Sequence, residues 1–199
     1  MRRGPDVADA RAVVVLLHGR GRDPGDVLEL AARIGLDDVA YLAPAAPGNS
    51  WYPQSFLAPL EDNEPWLTRA LATVDELVGS VEDPGRLVLA GFSQGACLAS
   101  EYALRNVRRY GGLLLYTGGF IGPPGIRPAR TGSFDGMPAF LGTADPDDWV
   151  PAERVAETAD VLHSLGARVT TRIYPGMDHM VNDLEIAAGR ELLRGVTAS

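Results

Sequence analysis

The stretch "LAGFSQGAC", residues 89–97, sets a serine between two glycines at the point where an apolar run stops and a helical pattern starts. A serine in an ordinary loop carries no chemistry of its own. One held in a tight strand-to-helix corner is presented as a nucleophile. Gly91-Phe92-Ser93-Gln94-Gly95 fits G-x-S-x-G in that context, after "RLVLA" and before a helix. The glycines flank the serine because the strained turn leaves no room for neighbouring side chains. The helix that begins there offers backbone N–H groups with no intrahelical partner.

Outward from that corner, short β-rich apolar runs alternate with helical patterns. The expected strands are 12–17, 39–42, 87–90, 113–117, 139–142 and 169–174. Most are continuous rather than alternating, as strands buried on both faces should be. The helices carry punctuation. Asp23-Pro24 opens the first and Gly35 closes it. Asn63 precedes a second, the serine corner opens a third, and a fourth runs from Pro151 to Leu165-Gly166. The last follows Asn182, with Glu185 placed for a capping box. This alternation predicts one α/β domain over 1–199, a mostly parallel sheet with helices on both faces.

Two long irregular segments, 43–62 and 118–138, leave the carboxyl edge of that sheet, where ligands bind in open α/β folds. The second is crowded with Gly and Pro and has no helical stripe, so no helical cap is expected.

A nucleophilic serine needs a base, and there are three histidines. His163 lies inside a helical pattern and reads as a surface or boundary residue. His18, in "LLHGRG", reads as holding the first strand–loop corner. His179, in "YPGMDHMVND", sits on a loop just past the last strand and is the candidate base. The orienting acid should fall between serine and histidine in the chain. Asp145, in "GTADPDDWVP", is the expected acid, with Asp147 and Asp148 as close rivals. Asp135 precedes the strand and so stands at the wrong edge. A metal site at Asp145, Asp147 and Asp148 lacks an evident further ligand, and acidic loops are usually solvated; no metal is expected.

The backbone N–H groups of Gln94 and Arg20 are the expected oxyanion donors. A dinucleotide fingerprint starting at Gly19-Arg20-Gly21 fails because its third glycine would fall on Pro24. Trp51, Tyr52, Phe120, Trp149 and Met177 are expected to wall the substrate pocket. Cys97 reads as a small buried residue on the nucleophile helix.

The composition narrows the chemistry. All 18 basic residues are arginine, which excludes Schiff-base, Ser–Lys and P-loop lysine mechanisms. The net charge of −8 argues against a nucleic-acid partner. The single cysteine forbids an intrachain disulfide. The apolar run at Val13–Leu17 is shorter than the roughly 7–15 residues of a signal-peptide core, and no run is long enough to span a bilayer. A cytoplasmic protein, monomer or homodimer, is expected.

Together "LLHGRGRDPGDVLEL", "NSWYPQSF", "GFSQGACLA", "DPDDWVPAERV" and "IYPGMDHMVNDLEI" resemble the phospholipase/carboxylesterase and acyl-protein-thioesterase family of small serine hydrolases, over about residues 11–194. The resemblance implies an α/β-hydrolase fold without a cap, and a catalytic Ser93, Asp145 and His179. The chain departs from the family in starting very close to its first core strand, so the family's leading strands are expected to be short or missing. Arg20 stands where the thioesterase branch often has leucine, and Met177-Asp178 where small or polar residues are usual.

The expected activity is hydrolysis of small, short-acyl carboxylic esters or thioesters through an acyl-enzyme, with no cofactor. The same triad could serve an acyltransferase or a C–C bond hydrolase, which acceptor experiments would separate. A non-catalytic binding module on this scaffold would typically have lost part of the triad.

Overall fold

The computed structural model describes residues 1–196. Seven strands form one sheet: β1 (Arg2–Arg3), β2 (Ala12–Leu17), β3 (Val39–Leu42), β4 (Leu87–Phe92), β5 (Gly112–Tyr116), β6 (Pro138–Asp145) and β7 (Arg168–Pro175). Their spatial order is β1-β3-β2-β4-β5-β6-β7. Only β1, two residues long, runs antiparallel, against β3. This is an α/β-hydrolase sheet.

Five helices cover it: α1 (Pro24–Ile34), α2 (Trp66–Gly79), α3 (Gln94–Arg105), α4 (Ala152–Ser164) and α5 (Asp183–Arg194). The central strands read as unbroken Val/Leu runs because both faces are buried. Val14, Leu16, Val88 and Ala90 pack with Val27, Ala31 and Ile34 of α1 and with Ile186 and Leu193 of α5. Their neighbours Val13, Val15, Leu87 and Leu89 pack with α2, α3 and α4 through residues such as Val74, Leu98 and Val155.

The helix signals hold at three ends. Asp23 and Asp26 form a capping box on α1, and Gly35 closes it in the left-handed region at φ 65°. Asn182 and Glu185 form the capping box of α5. Asn63 precedes α2 as expected, but does not cap it. Its cap position is Pro65, and Asn63 is a fully buried clamp that accepts from Gln54 N and donates to the Ser55 carbonyl.

The chain reverses its winding between β2 and β4. From β2 it passes through α1 to β3 on one side, while β4 continues to β5 and beyond on the other. The crevice beyond the carboxyl ends of β2 and β4 is therefore the switch point where such sheets bind ligands.

No helix interrupts 117–137, and no cap domain is present among the described residues. The segment is pinned to the body. Arg154 Nη1 donates to the carbonyls of Phe120 and Gly122, at 3.0 and 2.8 Å. Phe120 N donates to Thr158 Oγ1, and Gly122 N to the Phe56 carbonyl.

Candidate active site

Ser93 is the residue between β4 and α3, with φ 53° and ψ −120°. Positive φ is costly for a residue with a Cβ, so the surroundings must hold it there. Ser93 N donates to the Tyr116 carbonyl, and Cys97 N donates to the Ser93 carbonyl. The flanking glycines are a steric requirement. A Cβ on Gly91 would run into the Gly95 backbone, and one on Gly95 into the Leu17 carbonyl. The motif thus packs the start of α3 against β2 and β4 at van der Waals limits.

The parallel register of β6 and β7 brings two loops side by side, since Asp145 pairs with Pro175 at the carboxyl end of both strands. Gly176 N donates to the Asp145 carbonyl at 2.9 Å and ties the loops together. Beyond that tie, His179 Nδ1 lies 2.7 Å from Asp147 Oδ2, and His179 Nε2 lies 2.9 Å from Ser93 Oγ. Phe92 packs on the imidazole, with ring centroids 5.0 Å apart.

The expected acid, Asp145, is not the residue on His179. The sequence suggested a strand ending at Gly142 and a loop from there, but β6 runs on to Asp145. Asp145 is therefore the last residue of the strand, and its side chain is exposed. Its rival Asp147 lies past the strand end, where the chain turns inward. The Asp147 side chain has no exposure. Its Oδ1 accepts from Trp149 N and Val150 N, both at 2.9 Å, which leaves Oδ2 aimed at the imidazole. An aspartate taking the amides two and three positions ahead is a local turn signature, and "DDWVP" carried it. Asp148 and Asp178 are exposed, and His163 is exposed on α4. Among the described residues no cluster of His, Cys, Asp or Glu is arranged to hold a metal ion.

The loop after β2 packs beside Ser93: a Cβ on Gly19 would lie 3.4 Å from the Ser93 Cβ. Gln94 N opens α3 and has no intrahelical acceptor. Arg20 N makes no backbone hydrogen bond among the described residues. His18, fully buried, lies beneath this loop. Its Nε2 accepts from Ala46 N at 3.0 Å, which places the ring proton on Nδ1, 2.9 Å from the Gly19 carbonyl. That carbonyl belongs to the Gly19–Arg20 peptide. In a trans peptide the C=O and N–H point in opposite directions, so holding the carbonyl on His18 also fixes the direction of the Arg20 N–H.

The cavity at Ser93 has a volume of about 540 Å³. Of the aromatic residues expected to wall it, Tyr52 and Trp149 do, joined by Phe56 and Val150. Trp51 does not. It is buried, with Nε1 donating to the His18 carbonyl and its ring 4.9 Å from that imidazole. Phe120 is also buried, stacked 4.3 Å under the Arg154 guanidinium. Met177 is half-buried outside the lining.

The Gln94 side chain has a role that sequence reasoning missed. Its Oε1 accepts from Trp51 N, and its Nε2 donates to the Tyr52 carbonyl, so it clamps the loop that carries Tyr52. Cys97 lines the cavity floor, and burial pushes its thiol up to about 12.

Fold and switch-point crevice define an α/β-hydrolase. The chain belongs to the phospholipase/carboxylesterase family, whose profile matches residues 6–195. A phospholipase/carboxylesterase from Dyadobacter fermentans is 40% identical, with a TM-score of 0.92 over 98% of this chain and 95% of its own. Esterase PE8 is 26% identical, with a TM-score of 0.76 over 98% of this chain and 97% of its own. Acyl-protein thioesterase 1 from Gibberella zeae is 32% identical over 117 residues, 56% of this chain. That match spans about half of the relative's length, 48%. No helix among the described residues is long and apolar enough to cross a membrane.

Proposed function

We propose that the protein is a serine carboxylesterase for small, short-acyl esters, working through a Ser93–His179–Asp147 triad and an acyl-enzyme. The observation that carries this reading is the unbroken hydrogen-bonded chain from Asp147 Oδ2 through the imidazole to Ser93 Oγ. Asp147 holds the proton of His179 on Nδ1, which leaves the Nε2 lone pair facing the hydroxyl. As Ser93 Oγ attacks the carbonyl carbon, Nε2 takes its proton. The buried carboxylate then stabilises the imidazolium. The N–H groups of Gln94 and Arg20 receive the oxyanion as the carbonyl carbon becomes tetrahedral. Collapse expels the alcohol, or a thiol from a thioester, with the proton from His179. Water then enters by the same route, giving up a proton to His179 as it attacks the ester on Ser93; the bond from the acyl carbon to Ser93 Oγ breaks, His179 returns the proton to Oγ, and the acid leaves.

Hydrolysis of 4-nitrophenyl esters across acyl lengths, with fluorophosphonate labelling alongside, tests the reading. Wild-type protein should turn over short esters and take the label, and Ser93→Ala should do neither. Turnover that persists in Ser93→Ala would refute it.

A further inference from the structure

The charge at the cavity runs against the charge of the chain. Acidic residues outnumber basic ones by 26 to 18, yet the lining carries Arg20 and Arg22 and no carboxylate. Asp147, the carboxylate nearest the reacting atoms, is fully buried and committed to His179 and two amides.

Neither guanidinium is neutralised. Arg20 Nη1 and Nη2 donate to the carbonyls of Pro53 and Gln54, both at 2.6 Å. Carbonyls fix the group's position without cancelling its charge. Arg20 Cζ lies 6.0 Å from the centroid of the Tyr52 ring, itself a cavity wall. Arg22 has no side-chain hydrogen bond or ion pair among the described residues, and its exposed side chain borders the same cavity. Asp23 and Asp26, the acids nearest to it along the chain, keep their charge but turn a carboxylate oxygen to the cap amides of α1, and neither forms an ion pair with Arg22 among the described residues. An anchored cation and one without an ion pair among the described residues, both at the mouth of a cavity whose lining holds no carboxylate, form a half-built anion site.

We propose that the substrate carries an anionic oxygen-acid group close to its scissile ester, received by Arg22 beside the anchored Arg20. A carboxylate at the far end of a short acyl chain, as in the half-ester of a dicarboxylic acid, fits best. The acyl chain reaches the cavity wall while the carbonyl carbon sits on Ser93. This rests on the ester-hydrolase reading and narrows it from short-acyl esters in general to anionic ones. Arg22 is a specificity residue in this scheme, and the chemical steps are unchanged.

Matched esters test it. Ethyl hydrogen glutarate and ethyl pentanoate share chain length and leaving group and differ in the terminal carboxylate. A second pair, glycerol 3-phosphate acetylated on one hydroxyl and monoacetylglycerol, puts the anion on the leaving group. The proposal expects kcat/KM for the half-ester to exceed that for its neutral partner by about ten-fold at low salt. The ratio should fall towards one in Arg22→Gln, remain partly in Arg22→Lys, and shrink with added salt. A preference confined to the phosphate pair would assign the anion to the alcohol side and overturn the acyl-side placement. Equal rates within both pairs, or a ratio unchanged in Arg22→Gln, would overturn the proposal.

Binding to Ser93→Ala, followed by calorimetry, separates recognition of the anion from ester hydrolysis. No turnover of any ester by the wild type would refute the ester-hydrolase reading. Equal affinity of Ser93→Ala for the half-ester and its neutral partner would refute the anion site.

Discussion

His179 rests its Nδ1 on Asp147, 2.7 Å away, and passes over Asp145, two residues nearer the strand. Strand pairing decides this. Asp145 is still in register with Pro175 of β7, so its side chain leaves the sheet towards solvent. Asp147 has cleared the sheet and turned in. Asp147→Asn should therefore lower kcat by roughly 10⁴-fold, because an amide no longer holds the imidazole in the required tautomer. Asp145→Asn should leave kcat within a few-fold of wild type. Steady-state kinetics on one short ester checks both, and the reverse order of severity would return the role to Asp145.

His18 touches no reacting atom, yet it directs the peptide that carries the Arg20 N–H. His18→Ala should lower kcat by about 10²-fold, the scale of losing one oxyanion donor, while KM moves little. It should also destabilise the fold by about 1–3 kcal/mol, because it orphans a buried amide. His18→Asn, which can still donate to the Gly19 carbonyl, should recover part of kcat. A fall in stability with no change in kcat would mean that the loop holds its shape without the imidazole.

Glu185 is buried in the first turn of α5, and desolvation pushes its carboxyl up to about 7, against the opposing pull of the Asn182 amide and Arg33. One carboxyl oxygen accepts from Asn182 N, while Oε1 has no partner. The raised value means that the folded chain holds a proton there that the unfolded chain has already released. The stabilisation is complete below the unfolded value of 4.5 and is lost as pH rises through about 7. Its size is about 3 kcal/mol. Glu185→Gln should leave stability near pH 4 little changed, raise it at pH 8, and flatten its pH dependence between the two. Denaturant unfolding of both proteins at the two pH values checks this. A variant less stable than wild type at pH 8 would show that the ionised carboxylate is tolerated.

Acyl-length preference follows from the walls. Tyr52, Phe56 and Val150 cover the inner cavity, but Trp149 at its rim is 71% exposed, and 117–137 is pinned to the body rather than arched over the site. Each methylene gains about 0.8 kcal/mol only while wall remains to cover it. Thus kcat/KM should rise over the shortest acyl chains, peak early and decline, with no jump when the substrate forms micelles. Activity that climbs steadily to palmitoyl esters would show a long acyl channel.

Much of this architecture was legible from the chain because burial on both faces writes a strand as a plain apolar run. "AVVVLL" at 12–17 matches β2 residue for residue. The serine corner was equally legible, since Gly91 and Gly95 are demanded by contacts that no other residue would allow. What escaped depends on partners distant in sequence. β1 is two arginines that pair with β3 by backbone alone, so no side-chain pattern announces it. The length of β6 is set by its pairing with β7, and an error of three residues at its end exchanged Asp145 for Asp147. Trp51 and Phe120 lie in loops, where aromatic rings read as pocket wall. The His18 carbonyl and the Arg154 guanidinium take them into the body instead.

The central claim is a covalent intermediate on Ser93, and the most direct measurement is the mass of the protein quenched in acid during turnover of a short 4-nitrophenyl ester. The account predicts a species heavier by one acyl group, mapped by peptide sequencing to Ser93. It should form in a burst that matches the first equivalent of nitrophenol, and it should be absent from Ser93→Ala and His179→Ala. Undiminished turnover with no adduct, or an adduct on any other residue that decays at the turnover rate, would contradict it.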